Sequence, residues 1–268
     1  MTRKTFIKTL WRTLVAVCFG GGAAVAHAFT GGRHRIVIER VPLNLALEKP
    51  LKIIVLGDIH FDPRFEVKYL KKVVARAVAL KPDLVLHTGD FMSYDASKVG
   101  KLAEILAPLG GYAVLGNHDF WSGADVITEA LETKGNIRVL RNASLQIPGF
   151  SDVYVSGLES YWSGKPDSAC LDRTPSDSKH LLIVHEPDPF EDLNDSRILL
   201  QVSGHTHGGQ CRIPLLNYPP ILPSWGKNYA FGLFRKDKRA LYVTRGIGTV
   251  DFPIRFWCPP EITLLEVT

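Results

Sequence analysis

The chain has 268 residues and a mass of 29.7 kDa, with 46% hydrophobic and 22% charged side chains. That composition excludes disorder, collagen and low-complexity architectures and leaves room for one large domain or two small ones. Lys and Arg number 32 against 27 Asp and Glu, but Arg3, Lys4, Lys8 and Arg12 fall in the first 28 residues, which carry no acid, leaving 28 bases against 27 acids in the body. A body so close to neutrality has no global field to draw nucleic acid, so the basic pI near 9.0 points to an N-terminal tail meeting an anionic membrane.

The elements begin with that tail. Its four cations are followed by an apolar, Gly-rich run of 13 residues, Leu14 to Ala26, and then by Ala26-His27-Ala28, a small-x-small cleavage pattern. Residues 1–28 therefore read as a secretory signal or, uncleaved, as an N-terminal membrane anchor with Trp11 at the interface. A spanning helix wants about 20 apolar residues, and Gly20, Gly21 and Gly22 weaken this one, which favours cleavage. Either version ties the protein to a membrane or to export, on its periplasmic face. Cys18, Cys170, Cys211 and Cys258 form no C-x-x-C pair and read as buried or solvated thiols.

From about Arg35 onward short β-branched runs alternate with helical patterns, so residues 35–268 read as one α/β domain built from βαβ units. The run 51–58 is a strand. Residues 65–80 follow with Val67, Leu70, Val73, Val74 and Val78 near the helical period, an amphipathic helix. A strand over 83–90, a helix over 97–109 and a strand over 111–119 come next. Further runs at 180–186, 197–205, 239–246 and 261–268, with few helices between them, predict a second, largely antiparallel sheet.

Five of these strands end in residues able to bind metal: Asp58 and His60, then Asp90, Asn117, His185, and lastly His205 and His207. Ligands in open α/β sheets bind beyond the carboxyl ends of the strands. Of nine histidines, five (His60, His118, His185, His205, His207) fall at these ends, whereas His27, His34, His87 and His180 have no such company. Gly57, Gly89, Gly116 and Gly204 each precede a strand-end residue, where a sharp turn or close backbone approach demands no Cβ. A mixed set of carboxylates, imidazoles and one amide without thiolate suits Mn, Fe or Zn better than Ca or Cu(I).

The ordered set 57-GDIH-60, 89-GD-90, 116-GNHD-119, His185 and 204-GHTHGGQ-210, with 244-TRGIGT-249, resembles the calcineurin-like metallophosphoesterase superfamily over about residues 50–268. Within it the chain is similar to the exported or membrane-associated phosphodiesterases of bacteria, a branch akin to UDP-diacylglucosamine pyrophosphatases of lipid A synthesis. The resemblance implies a four-layer αββα sandwich with metals at the carboxyl ends of the strands. It implies two divalent ions, Mn first, bridged by Asp90, one held by Asp58, His60 and His207 and the other by Asn117, His185 and His205, with a water or hydroxide between them. His118 is implied to protonate the leaving oxygen, for which an imidazole is suited.

The implied activity is hydrolysis of a phosphodiester or pyrophosphate, of a membrane-borne substrate such as a UDP-linked acylated sugar. The alternatives are a phosphomonoesterase or nucleotidase with the same metal core, or a non-catalytic scaffold. Protein phosphatases of the superfamily place an Asp three residues after the bridging Asp; Ser93 stands there, which counts against that activity and leaves Asp95 or Asp119 to orient His118. Arg245 is a candidate for holding a phosphate oxygen. The apolar, Pro-rich stretch 211–232 is a packed loop, either folded on the core or forming an apolar wall for an acyl chain, and Trp121 and Trp162 are loop residues that could rim the same opening.

Overall fold

The computed structural model of the chain describes residues 32–62 and 66–268, so the signal or anchor segment lies outside the described residues. Twelve strands form two six-stranded sheets. The first runs in the order β1 (Val37–Leu43), β12 (Glu261–Val267), β2 (Leu51–Leu56), β3 (Leu84–His87), β4 (Gly111–Ala113), β5 (Ile137–Val139). The second runs β10 (Gly232–Lys236), β11 (Arg239–Val243), β9 (Ile198–Ser203), β8 (Lys179–Ile183), β7 (Val153–Gly157), β6 (Ala143–Gln146).

Strand periodicity decides how the layers stack. Along β2, Ile53 and Val55 face the second sheet while Ile54 and Leu56 face the helices, and β3 divides Leu84 and Leu86 from Val85 in the same way. The inner layer of side chains is completed by Val153 and Val155, Leu181 and Ile183, Leu200 and Val202, and Ala240 and Tyr242. Three helices, α1 (Val67–Ala79), α2 (Val99–Leu106) and α3 (Asn117–Lys134), cover the outer face of the first sheet. On α1 the buried stripe is Leu70, Val73, Val74 and Ala77, whereas Val78 is exposed. The outer face of the second sheet is covered more thinly: short 3-10 turns bring Cys170 and Leu171 onto Leu182 and Val184, and Phe190 onto Leu241 and Val243.

The second sheet corrects the expectation of a largely antiparallel arrangement. Strands β7, β8, β9 and β11 are mutually parallel, and only β6 and β10 pair antiparallel at its edges. Parallel strands need long crossovers. Here those crossovers are loops and 3-10 turns, which carry no helical period in the sequence. The first sheet has its own parallel block, β2 to β5, and the carboxyl edges of the two blocks meet: Ile247 N donates to Gly57 O, Gly248 N to Asp58 O and His205 N to Asp58 Oδ1.

Cys170 and Cys258 are buried and Cys211 is half-buried, all as free thiols. Because Leu86 is fully buried between the sheets, Leu86→Ala should lower unfolding free energy by about 2–5 kcal/mol. Urea denaturation checks this; a change below about 1 kcal/mol would mean the two sheets are not one cooperative core.

Candidate metal centre

The strands of the two parallel blocks hand their last residues to turns, and the turns after β2, β3 and β9 are strained. Asp58, His60, Asp90, His205 and His207 all have left-handed backbone, with φ between 46° and 71°, a region that side-chain-bearing residues rarely occupy. Such strain persists where surroundings over-determine it, and it clusters at functional sites. Two glycines make the crowding possible. Gly89 has φ +95°, and a Cβ there would fall 2.4 Å from Gly116 N. A Cβ on Gly116 would fall 2.1 Å from Asp90 Oδ1 and 2.6 Å from His185 Cε1.

The result is one buried cluster that joins Asp58, His60, Asp90, His185, His205 and His207, with Asn117 buried next to His118, whose backbone N bonds Asp90. Asp90 Oδ2 lies 3.4 Å from His60 Nε2 and 3.3 Å from His185 Nε2, so a single carboxylate faces both halves of the site. On one side His60 Nε2 and His207 Nε2 are 3.0 Å apart. On the other, His185 Nε2 and His205 Nδ1 are 3.2 Å apart. Asp58 Oδ1 accepts from His205 N at 2.8 Å, while Asp58 Oδ2 and Asn117 Oδ1 are buried with no hydrogen-bond partner.

Outer contacts fix how the rings are aimed. His185 Nδ1 donates to Thr88 O at 2.7 Å and His205 Nε2 donates to Ser224 O at 2.7 Å, so in the neutral rings the nitrogens facing each other are both lone pairs. Two acceptors 3.2 Å apart repel unless a proton or cation lies between them. Without a metal the proton supplies that charge. Burial opposes it, but the adjacent Asp90 carboxylate dominates and lifts His185 to about 10. Asp90 itself is held far below the usual carboxylate range by His185 and His60, against its burial. Burial pushes Asp58 up to about 7, and lowers His60 to about 3 and His205 to about 4.

This donor set fits metal ions. It offers unpartnered carboxylate and amide oxygens and converging imidazoles, the carbonyls of Thr88 and Ser224 hold His185 and His205 by their outer nitrogens as metal-ligating histidines require, and no thiol among the described residues joins the cluster. Two overlapping groups, His60 with Asp90 and His118, and Asp90 with His185 and His205, each bring their ligand atoms within 4.8 Å of one another.

His118 lies at the edge of the cluster, at the start of α3. Its backbone N donates to Asp90 Oδ1 at 2.9 Å, and its Nδ1 donates to the carbonyl of Ser93 at 2.9 Å, which directs Nε2 away from that bond. Neither Asp95 nor Asp119 orients it. Asp95 caps a 3-10 turn through Ser97, and Asp119 binds the amides of Gly116 and Met92, bracing the loops behind Asp90. Ser93 also reaches His60 Nδ1 through its hydroxyl at 3.1 Å. Trp121 packs on His118 at 4.7 Å between ring centroids and on Trp162 at 5.5 Å, and Trp162 faces His205 at 5.5 Å, so both tryptophans rim the site. Trp162 is a turn residue as expected, but Trp121 belongs to α3, whose kink at Gly123 hides the helix from sequence reading.

Arg245 does not join the cluster. Its guanidinium donates to Glu261 and, at 3.0 Å, to Glu39, which commits it to bracing β11 against β12 and β1. The arginine that sequence reasoning missed is Arg255, fully buried, bonded to the carbonyls of Gly248 and Arg245 at 2.8 Å, with Nη2 3.5 Å from His207 Nδ1. Its partners are main-chain carbonyls, which no side-chain motif signals. Among the other histidines, His87 bonds Gly110 O and His180 is satisfied between Ser156 and Ser178 in the second sheet.

Metal loading should release protons, because His185 is protonated below about pH 10 and its ligand nitrogen must be bare to bind. Affinity for Mn should therefore rise with pH between 6 and 8, by roughly tenfold per unit for each proton displaced. Calorimetric titration in two buffers of different ionisation enthalpy measures that number; zero protons released would contradict the assignment of His185.

Comparison with known proteins agrees with this geometry. Residues 51–209 match the calcineurin-like phosphoesterase family. An uncharacterized metallophosphoesterase of Bacillus subtilis, YkuE, is 31% identical over 100% of this chain and 98% of its own length. The phosphodiesterase YaeI of Escherichia coli is 29% identical over 100% and 99%. The UDP-2,3-diacylglucosamine pyrophosphatase LpxG of Chlamydia trachomatis is 26% identical over 84% and 86%. The chain belongs to the calcineurin-like phosphoesterase family.

Proposed function

We propose that the protein is a two-metal hydrolase of phosphodiester or pyrophosphate bonds that acts on a membrane-associated substrate. The observation that carries this reading is the position of Asp90, one carboxylate oxygen within 3.4 Å of imidazole nitrogens on both sides of the cluster. Asp58, His60 and His207 would hold one ion with Asp90, and Asn117, His185 and His205 the other. A pair of divalent ions lowers the pKa of water and stabilises charge on the attacking and leaving oxygens of an in-line displacement at phosphorus. Oxygen and nitrogen donors without sulfur favour Mn, with Fe or Zn as alternatives.

The chain's own residues supply the proton and the approach. Water that has given one proton to solvent attacks phosphorus through its oxygen, the bond to the leaving oxygen breaks, and His118, entering the step with protons on both ring nitrogens, gives the one on Nε2 to that oxygen while Nδ1–H stays on Ser93 O. At Nδ1 a main-chain carbonyl takes the orienting place of the aspartate found in protein phosphatases. Trp121 and Trp162, about half exposed at 51% and 43%, offer an apolar lip beside this proton donor. That lip, the membrane-directed residues 1–28 and the likeness to a diacylated-sugar pyrophosphatase support a lipid-linked substrate, with a UDP-linked acylated sugar as the specific candidate.

Hydrolysis of bis(p-nitrophenyl) phosphate by metal-stripped protein, with and without Mn, tests the chemistry. Activity should depend on Mn and vanish in Asp90→Asn. His118→Ala should keep both ions and slow turnover by roughly 10²–10⁴. Loss of an ion in His118→Ala would make this histidine a ligand. No hydrolysis of the aryl diester or of lipid-linked pyrophosphates by protein carrying two ions would contradict the proposal.

A further inference from the structure

Between Cys211 and Gly232 the chain carries no acid, and of that segment's two cations Lys227 is exposed while Arg212 is buried over the Phe231 ring. It is also the most apolar exposed surface among the described residues: Leu215 is 93% exposed, Ile221 79% and Leu216 72%, with Tyr218 beside them. Isolated exposed apolar residues need no explanation, but a contiguous group marks an interaction surface. Pro214, Pro219, Pro220 and Pro223 fix the shape of the segment, so little conformational freedom remains to be lost on binding. Leu215 and Trp225 have left-handed backbone, at φ 69° and 65°, as does the exposed Trp257 at 53°. The protein thus tolerates strain at three bulky apolar residues that point into solvent.

This surface is seated on the metal centre. Ser224 O accepts from His205 Nε2, Ala230 O accepts from Thr206 Oγ1, and Pro219 lies so close to Gly209 that a Cβ there would come within 2.3 Å. The segment is joined to residues 252–260 by Arg212 N donating to Phe256 O and Phe256 N to Gln210 O. Trp257 and Gly32 line the same small cavity of about 260 Å³. The chain therefore leaves the described structure at Gly32 on the side that carries the apolar segment. From Ala28 to Gly32 is four residues, a reach of at most about 14 Å. Residues 32–38 and 252–260 likewise contain no acid.

We propose that residues 213–225, with Trp257, form a membrane-docking surface that inserts its apolar side chains into an anionic bilayer and holds the mouth of the metal centre against the lipid. The inference rests on reading residues 1–28 as an uncleaved membrane anchor and goes beyond it, because tethering alone would leave the domain free to face any direction. Exposed apolar side chains flanked by the exposed cations Lys227 and Arg35 suit the boundary between headgroups and acyl chains, with Asp188 turned to the amides of Lys227 and Asn228. Docked in this way, the site receives a lipid-linked phosphodiester or pyrophosphate without the lipid leaving the membrane.

Hydrogen–deuterium exchange of the full, metal-loaded chain with vesicles of phosphatidylethanolamine and phosphatidylglycerol tests the docking, with sedimentation measured in parallel. Peptides covering 211–226 and 252–260 should exchange at least about fivefold more slowly with vesicles, while the turn at 80–83, at the amino ends of the strands, is unchanged. The variant Leu215→Glu/Leu216→Glu/Ile221→Glu should lose this protection yet still sediment with vesicles and hydrolyse the aryl diester at the normal rate. Sedimentation of the wild-type chain without protection of 211–226 would overturn the docking surface and leave the tether standing. Absence of both would overturn the docking surface and the membrane assignment together. Protection that needs no vesicles and grows with protein concentration would assign the surface to a second copy of the chain and overturn the proposal.

Discussion

Asp90 is a fully buried carboxylate flanked by the imidazoles of His60 and His185, and much of the structure follows from keeping it there. Burying an anion is costly unless it is paired and hydrogen-bonded. His118 N serves one oxygen, and His60 and His185 flank the other. Those rings are held from behind by Ser93 and Thr88, so they cannot turn away. A cation is the natural complement to such a set, and a proton on His185 stands in for it when no metal is bound.

Geometry of this kind needs strands that end together. Two parallel blocks, one in each sheet, point their carboxyl edges at one another, and strained turns bring the last side chains inward. Each left-handed residue costs about 1–3 kcal/mol locally, and the surrounding cores, which bury most side chains on both faces of β2, β3, β8 and β9, offset that cost. Two cavities illustrate the separation of stability from chemistry. One of about 710 Å³ lies at the amino ends of the strands beside Leu51, Leu84 and Gly111, far from any ligand, whereas one of about 720 Å³ opens at His60 and Ser93.

Much of this was legible in the sequence because strands buried on both faces leave unbroken apolar runs, and because polar residues that interrupt the ends of such runs have few reasons to be there. Asp58, His60, Asp90, Asn117, His185, His205 and His207 stood out for that reason. The helix α3 did not, since Gly123 breaks its pattern and its buried stripe is short. The parallel order of β7, β8, β9 and β11 was hidden by crossovers without helical period. Ser93 and Arg255 act largely through main-chain carbonyls, and a carbonyl has no sequence signature. Arg245 looked like a phosphate ligand only because its partners, Glu261 and Glu39, are distant in sequence.

The central claim is that one carboxylate divides two metal positions. Anomalous X-ray scattering from crystals of the Mn-loaded protein measures this directly. The account predicts two peaks flanking Asp90, one bounded by Asp58, His60 and His207, the other by Asn117, His185 and His205. A single peak, or metal bound away from Asp90, would contradict it.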